Sequence, residues 1–145
     1  MEIKRVLCVC YGNSDRSPAM EAILRMFLKV RHPDVVVDSA GAGETAAKGG
    51  QASIFAAIAC NLIGLDLIHH NRRRTTSLDM ESYDLIICAD DMVVALLLQQ
   101  GVSVEKIYNA NIPSGQWPFK FQEDYNRSFE RILPAMFTVV TRYFV

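Results

Sequence analysis

The stretch Cys10-Tyr11-Gly12-Asn13-Ser14-Asp15-Arg16-Ser17-Pro18 decides the fold, because it joins an apolar run (Ile3 to Val9) to the start of an amphipathic helix. A loop that enters a helix N-terminus directs backbone N–H groups at one point, and the helix dipole favours an anion there. These amides and Arg16 would hold Cys10 as a thiolate, and Ser17 can donate its hydroxyl to the sulfur. The stretch therefore predicts a cysteine nucleophile in a phosphate-binding loop, whose binding residues are Tyr11, Gly12, Asn13, Ser14, Asp15, Arg16 and Ser17.

Composition indicates one domain and gives no sign of a nucleic-acid or membrane partner. The chain has 145 residues, of which 50% are hydrophobic, so we expect a single domain over residues 1–145. A formal net charge of −1 gives no overall electrostatic attraction to a nucleic acid. No apolar run approaches the roughly 20 residues that a membrane-spanning helix needs. The 4 cysteines lack disulfide-scaffold or zinc spacing, which predicts reduced thiols in a cytoplasmic protein.

Short β-branched runs alternate with longer helical periods, which is typical of an α/β domain with a parallel sheet. Strands are predicted at Ile3–Cys10, Val35–Ser39, Asp84–Ala89 and Glu105–Tyr108. Helices are predicted at Ser17–Val30, Gln51–Ile63, Asp91–Gln100 and Gln122–Arg142. On the first helix we expect a buried face made of Ala22, Ile23, Met26 and Phe27.

Several motifs resemble those of the low-molecular-weight protein tyrosine phosphatase family, and the similarity covers nearly the whole chain. They are Val6 to Asn13, Arg16-Ser17-Pro18 with Glu21, Asp38-Ser39-Ala40-Gly41, Gly64 to Leu67 with His70, and Tyr83 to Ile86. The resemblance implies a three-layer α/β sandwich in which helices flank a four-stranded parallel sheet. It also implies a cysteinyl-phosphate intermediate at Cys10, with neither metal nor cofactor.

The resemblance assigns further roles. Arg16 is the phosphate clamp, Ser17 is the partner of the thiolate, and Asn13, His70 and Ser39 support the loop. The implied substrate is a phosphotyrosine protein or a small aryl phosphate, and inorganic phosphate or a similar oxyanion would occupy the loop. We expect a monomer or a weak dimer.

Three departures from the family pattern bear on the chemistry. The family's general acid is the Asp of an Asp-Pro-aromatic motif, whereas this chain has Trp117-Pro118-Phe119, and an alignment on Ser114-Gly115 offers no carboxylate either. Losing a general acid costs about 10²- to 10⁴-fold in rate on poor leaving groups. The second departure is Asp15, which stands where the family usually has a second cysteine. A protonated Asp15 is a candidate donor of the proton to the leaving group. The alternatives are an ion pair between Asp15 and Arg16 or an Asp15 side chain that faces solvent.

The third departure is at the cleft wall, where the family places an aromatic residue after the second strand and this chain has Gly43 to Ala46. Tyr11, Trp117 and Phe119 are candidates for the wall, although Phe119 also fits a core position. Arg72, Arg73 and Arg74 fit a solvated face better than a nucleic-acid patch, and contact with an acidic substrate stays open.

Two other functions stay open. One is a phosphate- or phosphoprotein-binding module on the same fold with little turnover. The other is an arsenate reductase, which is disfavoured because that chemistry needs two further cysteines after the Asp84 strand and only Cys88 is there.

Overall fold

A computed structural model describes residues 2–114 and 119–144. It contains a four-stranded sheet in which every pairing is parallel and the strand order is β2-β1-β3-β4. The strands are β1 (Arg5–Cys10), β2 (Val36–Gly41), β3 (Leu85–Cys88) and β4 (Ile107–Asn109). The helices are α1 (Arg16–Leu28), α2 (Ile54–Leu62), α3 (Asp91–Gln99) and α4 (Gln122–Tyr143). The predicted α/β fold with a parallel sheet is confirmed.

The alternation of β1 divides the core into two layers. Val6, Cys8 and Cys10 pack on one face of the sheet with residues of α1, α2 and α4. Leu7 and Val9 pack on the other face, which α3 covers. A strand buried on both faces reads as a continuous apolar run, as the β1 sequence does. The result is the expected three-layer sandwich.

The buried face of α1 differs from the predicted one. Met26 is 38% exposed, and Ala22 and Phe27 are only half-buried, whereas Ile23 is buried as predicted. The fully buried apolar positions of the helix are Ala19, Met20, Ile23 and Leu24, with Leu28 nearly so. The first three residues of the helix, Arg16, Ser17 and Pro18, are buried as well, so the buried stripe begins at the start of the helix.

The sheet order places a topological switch point between β1 and β3. The chain leaves β1 through α1 to reach β2 on one side, whereas β3 pairs with β1 on the other side. Ligands of open α/β sheets bind at the carboxyl ends of the strands beside such a point. The chain segments that leave β1 and β3 there begin with Tyr11 and Ala89.

Candidate active site

The six backbone carbonyls from Cys10 to Asp15 all accept hydrogen bonds from donors outside the loop. The pairs are Ala42 N to Cys10 O (2.9 Å), Gly43 N to Tyr11 O (2.9 Å), Arg72 Nε to Gly12 O (3.0 Å), His70 Nε2 to Asn13 O (2.8 Å), Ser53 N to Ser14 O (2.9 Å) and Tyr125 Oη to Asp15 O (2.8 Å). Because each carbonyl is held outward, the N–H groups of the same peptides are directed to the inside of the loop. No amide from Gly12 to Arg16 donates to another group in the described parts of the chain. This arrangement is an anion site built from backbone donors.

The Cys10 thiol lies at the start of this loop, beside a chain of hydroxyl and amide groups. Its Sγ is 3.0 Å from Ser17 Oγ. Asn13 Nδ2 donates to Ser17 Oγ (2.8 Å) and to Ser39 Oγ (3.0 Å). The Ser17 oxygen accepts from Asn13, and its one hydrogen has two acceptors within reach, the Cys10 sulfur and the Ala40 carbonyl at 3.3 Å. The group can therefore stabilise a Cys10 thiolate.

Asn13 adopts a left-handed backbone conformation with φ of 54°. Few residues other than glycine tolerate this conformation, and asparagine is among those that do. Its side chain also accepts a hydrogen bond from Arg73 N at 3.0 Å. Asn13 is fully buried, so its side chain pins the loop to β2 and to the segment that follows His70.

Arg16 is the first residue of α1 and is 6% exposed. Its Nη1 donates to Asp90 Oδ2 (2.7 Å) and to Ile112 O (2.8 Å). Asp90 also caps α3, because its Oδ1 accepts from Val93 N at 3.0 Å. The alternative of an ion pair between Asp15 and Arg16 is wrong, because the partner of Arg16 is Asp90.

The Asp15 carboxyl group has one oxygen with a partner and one without. Ser14 Oγ donates to Asp15 Oδ2 at 3.2 Å, whereas Oδ1 is buried and has no hydrogen-bond partner. The residue is half-buried, which also corrects the alternative of an aspartate facing solvent. A buried carboxylate oxygen without a hydrogen-bond donor is energetically costly.

Of the candidates for the cleft wall, Tyr11 and Phe119 lie within the described residues. The Tyr11 ring is 38% exposed and covers Gly43, where an added Cβ would lie 2.4 Å from ring carbons. Phe119 packs edge-on against Phe55 (5.8 Å between centroids) and Tyr125 (5.7 Å), so it belongs in part to the core. Trp117 lies outside the described residues.

Two residues of the arginine run, Arg72 and Arg73, contact the loop and β2, which corrects the expectation of a solvated face for these two. Arg72 binds the carbonyls of Gly12 and Thr45, at 3.0 and 3.1 Å. The backbone N–H of Arg73 binds Asn13 Oδ1, and its Nε donates to Ser39 O at 3.1 Å. Sequence reasoning missed these contacts because polar residues in a loop give no periodic signal that distinguishes solvent from a neighbouring carbonyl.

Sequence reasoning also missed Tyr125, on α4. Its ring is fully buried and its hydroxyl reaches the Asp15 carbonyl, 110 positions earlier in the chain. Burial, and next the Cys60 thiol, raise the pKa of Tyr125 well above its usual value, which keeps the phenol protonated as a donor. The helical spacing of the apolar residues of α4 is consistent with a buried Tyr125. Only the fold shows which group its hydroxyl contacts.

The other thiols differ from Cys10 in their surroundings. Burial raises the pKa of Cys8 well above its usual value and raises the pKa of Cys60 and of Cys88 to about 12. These thiols stay protonated, and buried thiols of this kind are unreactive. Cys10 is the one at the loop.

Within residues 2–114 and 119–144, no three His, Cys, Asp or Glu side chains are grouped so that they could hold a metal ion. In the same ranges, no helix combines the length and the apolar character that a membrane crossing takes.

The fold and the loop define a class: a parallel α/β protein with a cysteine and an arginine at the two ends of an anion-binding loop. The sequence model of the low molecular weight phosphotyrosine protein phosphatases matches residues 5–112, and the chain belongs to this family.

Individual relatives agree with this assignment. The chain is 34% identical over 93 residues to the low molecular weight protein-tyrosine-phosphatase Wzb of Salmonella typhi, a match that covers 64% of this chain and 58% of that protein. It is 35% identical over 88 residues to the probable low molecular weight protein-tyrosine-phosphatase EpsP of Ralstonia nicotianae, covering 61% of this chain and 57% of EpsP. The chain thus spans somewhat more than half the length of these relatives.

Solved structures match more of the chain. The tyrosine phosphatase amsI of Erwinia amylovora superposes with a TM-score of 0.84 at 25% identity, covering 99% of this chain and 95% of that one. Wzb of Vibrio vulnificus, crystallised with benzylphosphonate, superposes with a TM-score of 0.80 at 24% identity, covering 97% of this chain and 99% of that one. The latter likeness concerns the fold.

Proposed function

We propose that this protein is a cysteine-dependent phosphomonoester hydrolase of the protein tyrosine phosphatase type, acting on phosphotyrosine proteins or small aryl phosphates. The observation that carries the proposal is the set of six outward carbonyls from Cys10 to Asp15. This set leaves the loop amides for a phosphate group beside the Cys10 thiol. Family membership and the Arg16 side chain at the end of the loop support the same reaction.

The reaction has two steps. The Cys10 thiolate attacks phosphorus in line with the ester bond, so that an S–P bond forms and the P–O bond to the leaving group breaks. The leaving oxygen takes the electron pair and a proton. Water then attacks the phosphocysteine, which restores the thiolate and releases inorganic phosphate. In both steps the loop amides and Arg16 stabilise the charge on the equatorial oxygens.

The source of the proton distinguishes this chain within its family. Residues 110–121, between β4 and α4, contain no Asp or Glu. Asp124 follows them, but hydrogen bonds from the N–H groups of Phe121 and Lys120 lower its pKa, so it is held as a carboxylate. We propose Asp15 as the donor, because it lies in the loop directly before Arg16 and its Oδ1 is buried without a hydrogen-bond partner.

Turnover of 4-nitrophenyl phosphate tests the function. We expect hydrolysis by the unchanged protein and its loss in Cys10→Ser, which keeps the shape of the loop but replaces the sulfur nucleophile. Cys88→Ser is the matched control, since Cys88 is buried on the opposite face of the sheet from Cys10. Equal rates in the unchanged protein and in Cys10→Ser would refute the assignment of the nucleophile.

The proton donor is tested by comparing leaving groups. Asp15→Asn should slow phenyl phosphate, whose leaving group needs a proton, by about 10²- to 10⁴-fold, and should affect 4-nitrophenyl phosphate much less. Equal effects on both esters, or none, would remove Asp15 from this role. Trp117→Asp installs a carboxylate where the family carries one, and a gain on phenyl phosphate would identify proton delivery as the limiting step.

A second candidate function is a phosphate- or phosphoprotein-binding module with little turnover. The absence of an acidic residue from positions 110–121 favours it. Tight binding of vanadate or phosphate by a protein that does not hydrolyse 4-nitrophenyl phosphate would support the module over the enzyme.

A further inference from the structure

We infer that Arg72 is a positioning residue. Its side chain holds the Gly12–Asn13 peptide in the orientation in which the Asn13 N–H faces the bound anion. The inference rests on the proposed function only in requiring that the loop binds an oxyanion. Arg72 Nε donates to Gly12 O at 3.0 Å, and Arg72 Nη2 donates to Thr45 O at 3.1 Å. In the described parts of the chain, Arg72 is the donor to the Gly12 carbonyl and forms no ion pair.

The Gly12–Asn13 peptide is the part of the loop with the greatest tendency to rotate. A flip changes ψ of Gly12 and φ of Asn13 together, and Gly12 has no Cβ that would oppose the new ψ. The present φ of Asn13 is 54°, in a region that non-glycine residues rarely occupy. A flip would return Asn13 to a common conformation, so the backbone itself does not favour the binding orientation.

The flip would have a direct effect on the site. It would turn the Gly12 carbonyl into the loop and the Asn13 N–H out of it, which replaces an anion donor by a partial negative charge. Other contacts hold the neighbouring peptides, because His70 binds Asn13 O and Gly43 N binds Tyr11 O. The bond from Arg72 therefore determines the orientation of this one peptide.

Neighbouring residues restrict the position of both the backbone and the side chain of Arg72. Its own N–H donates to Gly50 O at 2.8 Å, which anchors the backbone from which the side chain extends. A Cβ added at Gly12 would lie 3.1 Å from Thr45 Oγ1 and 3.4 Å from Arg72 Nη2. The planar guanidinium thus spans two carbonyls on separate segments, which the single ammonium group of a lysine cannot do with the same geometry.

The test measures the affinity for vanadate and for inorganic phosphate by calorimetry, together with the thermal midpoint of the anion-free proteins. Arg72→Met removes both the positive charge and the two hydrogen bonds to the Gly12 and Thr45 carbonyls. Arg72→Lys keeps the positive charge but not the guanidinium that spans the two carbonyls. Arg74→Met is the matched control, because it removes the same charge two residues away, and in the described parts of the chain Arg74 Nε has no hydrogen-bond partner. Amide NMR of Asn13 follows the orientation of the peptide directly.

We expect Arg72→Met to bind vanadate about 10- to 100-fold more weakly, the range for a lost hydrogen bond from a charged donor. The deficit should persist at high salt, where a purely long-range charge effect is screened. Arg72→Lys should stay weaker than the unchanged protein, and Arg74→Met should bind within about twofold of it. The Asn13 amide of Arg72→Met should lose the shift that vanadate induces in the unchanged protein at equal anion concentration.

Three results would overturn the inference: unchanged affinity in Arg72→Met, full recovery in Arg72→Lys, or an equal deficit in Arg74→Met. Failure of the proposed hydrolysis is separable, because a protein that binds vanadate without turnover still permits every comparison above. A protein that binds neither anion refutes both proposals.

Discussion

The Arg16 guanidinium and the Asp90 carboxylate form an ion pair with 2.7 Å between Nη1 and Oδ2. It joins the first turn of α1 to the N-cap of α3, the two helices that follow the strands at the switch point. Asp90 Oδ2 and Ile112 O both occupy Nη1, whereas Nε and Nη2 of Arg16 donate to no group in the described residues. Asp90 thus fixes Nη1 of the guanidinium, and Nε and Nη2 stay available to donate to a bound anion.

The first prediction is that Asp90→Asn lowers kcat/KM while α3 stays capped. Asparagine is as good an N-cap as aspartate, so the bond from Val93 N can be kept. The charge that fixes Arg16 is lost, which should cost about 1.5–3 kcal/mol and lower kcat/KM by about 10- to 100-fold. Steady-state kinetics on 4-nitrophenyl phosphate measures this.

Asp91→Asn is the control for that experiment, because Asp91 is the next residue and binds Asn109 Nδ2 instead of Arg16. We expect its kcat/KM to stay close to that of the unchanged protein. A similar loss in both variants would show that the arginine does not depend on its ion pair.

The second prediction concerns Tyr11 and the aryl group of the substrate. If the ring forms a wall of the cleft, Tyr11→Ala should raise KM for aryl phosphates, whereas inhibition by inorganic phosphate should change little. An aromatic contact is worth about 0.5–1.5 kcal/mol, or about a two- to tenfold change in KM. Gly43→Ala should act in the same direction, since its Cβ would meet the Tyr11 ring at 2.4 Å and displace it. An equal loss of phosphate affinity would indicate that the ring supports the loop instead.

The third prediction is that Tyr125→Phe destabilises the protein and loosens the loop. The change leaves the Asp15 carbonyl without its donor, at a cost of about 1–3 kcal/mol. Denaturant unfolding should report that loss, and saturating phosphate should stabilise the variant less than the unchanged protein. Tyr108→Phe is the control, because Tyr108 contacts Arg142 and Tyr143 at the C-terminal end of α4, whereas Tyr125 lies near its N-terminal end.

Much of the fold could be predicted from the sequence, because its elements have local causes. The apolar run of β1, the Ser-Pro start of α1 and the cap at Asp90 are each encoded within a few residues. The predicted bounds differ from the observed ones by one to three residues at most ends, as for α2, which begins at Ile54 instead of Gln51.

The supports of the loop could not be predicted in the same way. Arg72 and Tyr125 are separated from their acceptors by 60 and 110 positions, and nothing local marks an arginine that binds a carbonyl. The pairing of Arg16 with Asp90 depends on two strands lying side by side. Cys10 could be predicted as the nucleophile because the residues that mark it are its neighbours in sequence, whereas the residues that orient the loop peptides come from distant parts of the chain.

The last prediction concerns stability against acid and the carboxylate of Asp84. Hydrogen bonds from the N–H groups of Lys4 and Arg5, both 2.9 Å to Oδ2, lower the pKa of Asp84 below its usual 3.8. A lowered folded-state pKa contributes stability that is present above the unfolded value and is lost as the pH falls through the folded value. Asp84→Asn should therefore lower the thermal midpoint near about pH 6, and its difference from the unchanged protein should shrink toward about pH 2. Asp79→Asn is the control, because no hydrogen bond to the Asp79 side chain occurs in the described parts of the chain. A difference that is constant with pH would mean that the two bonds do not depend on the charge.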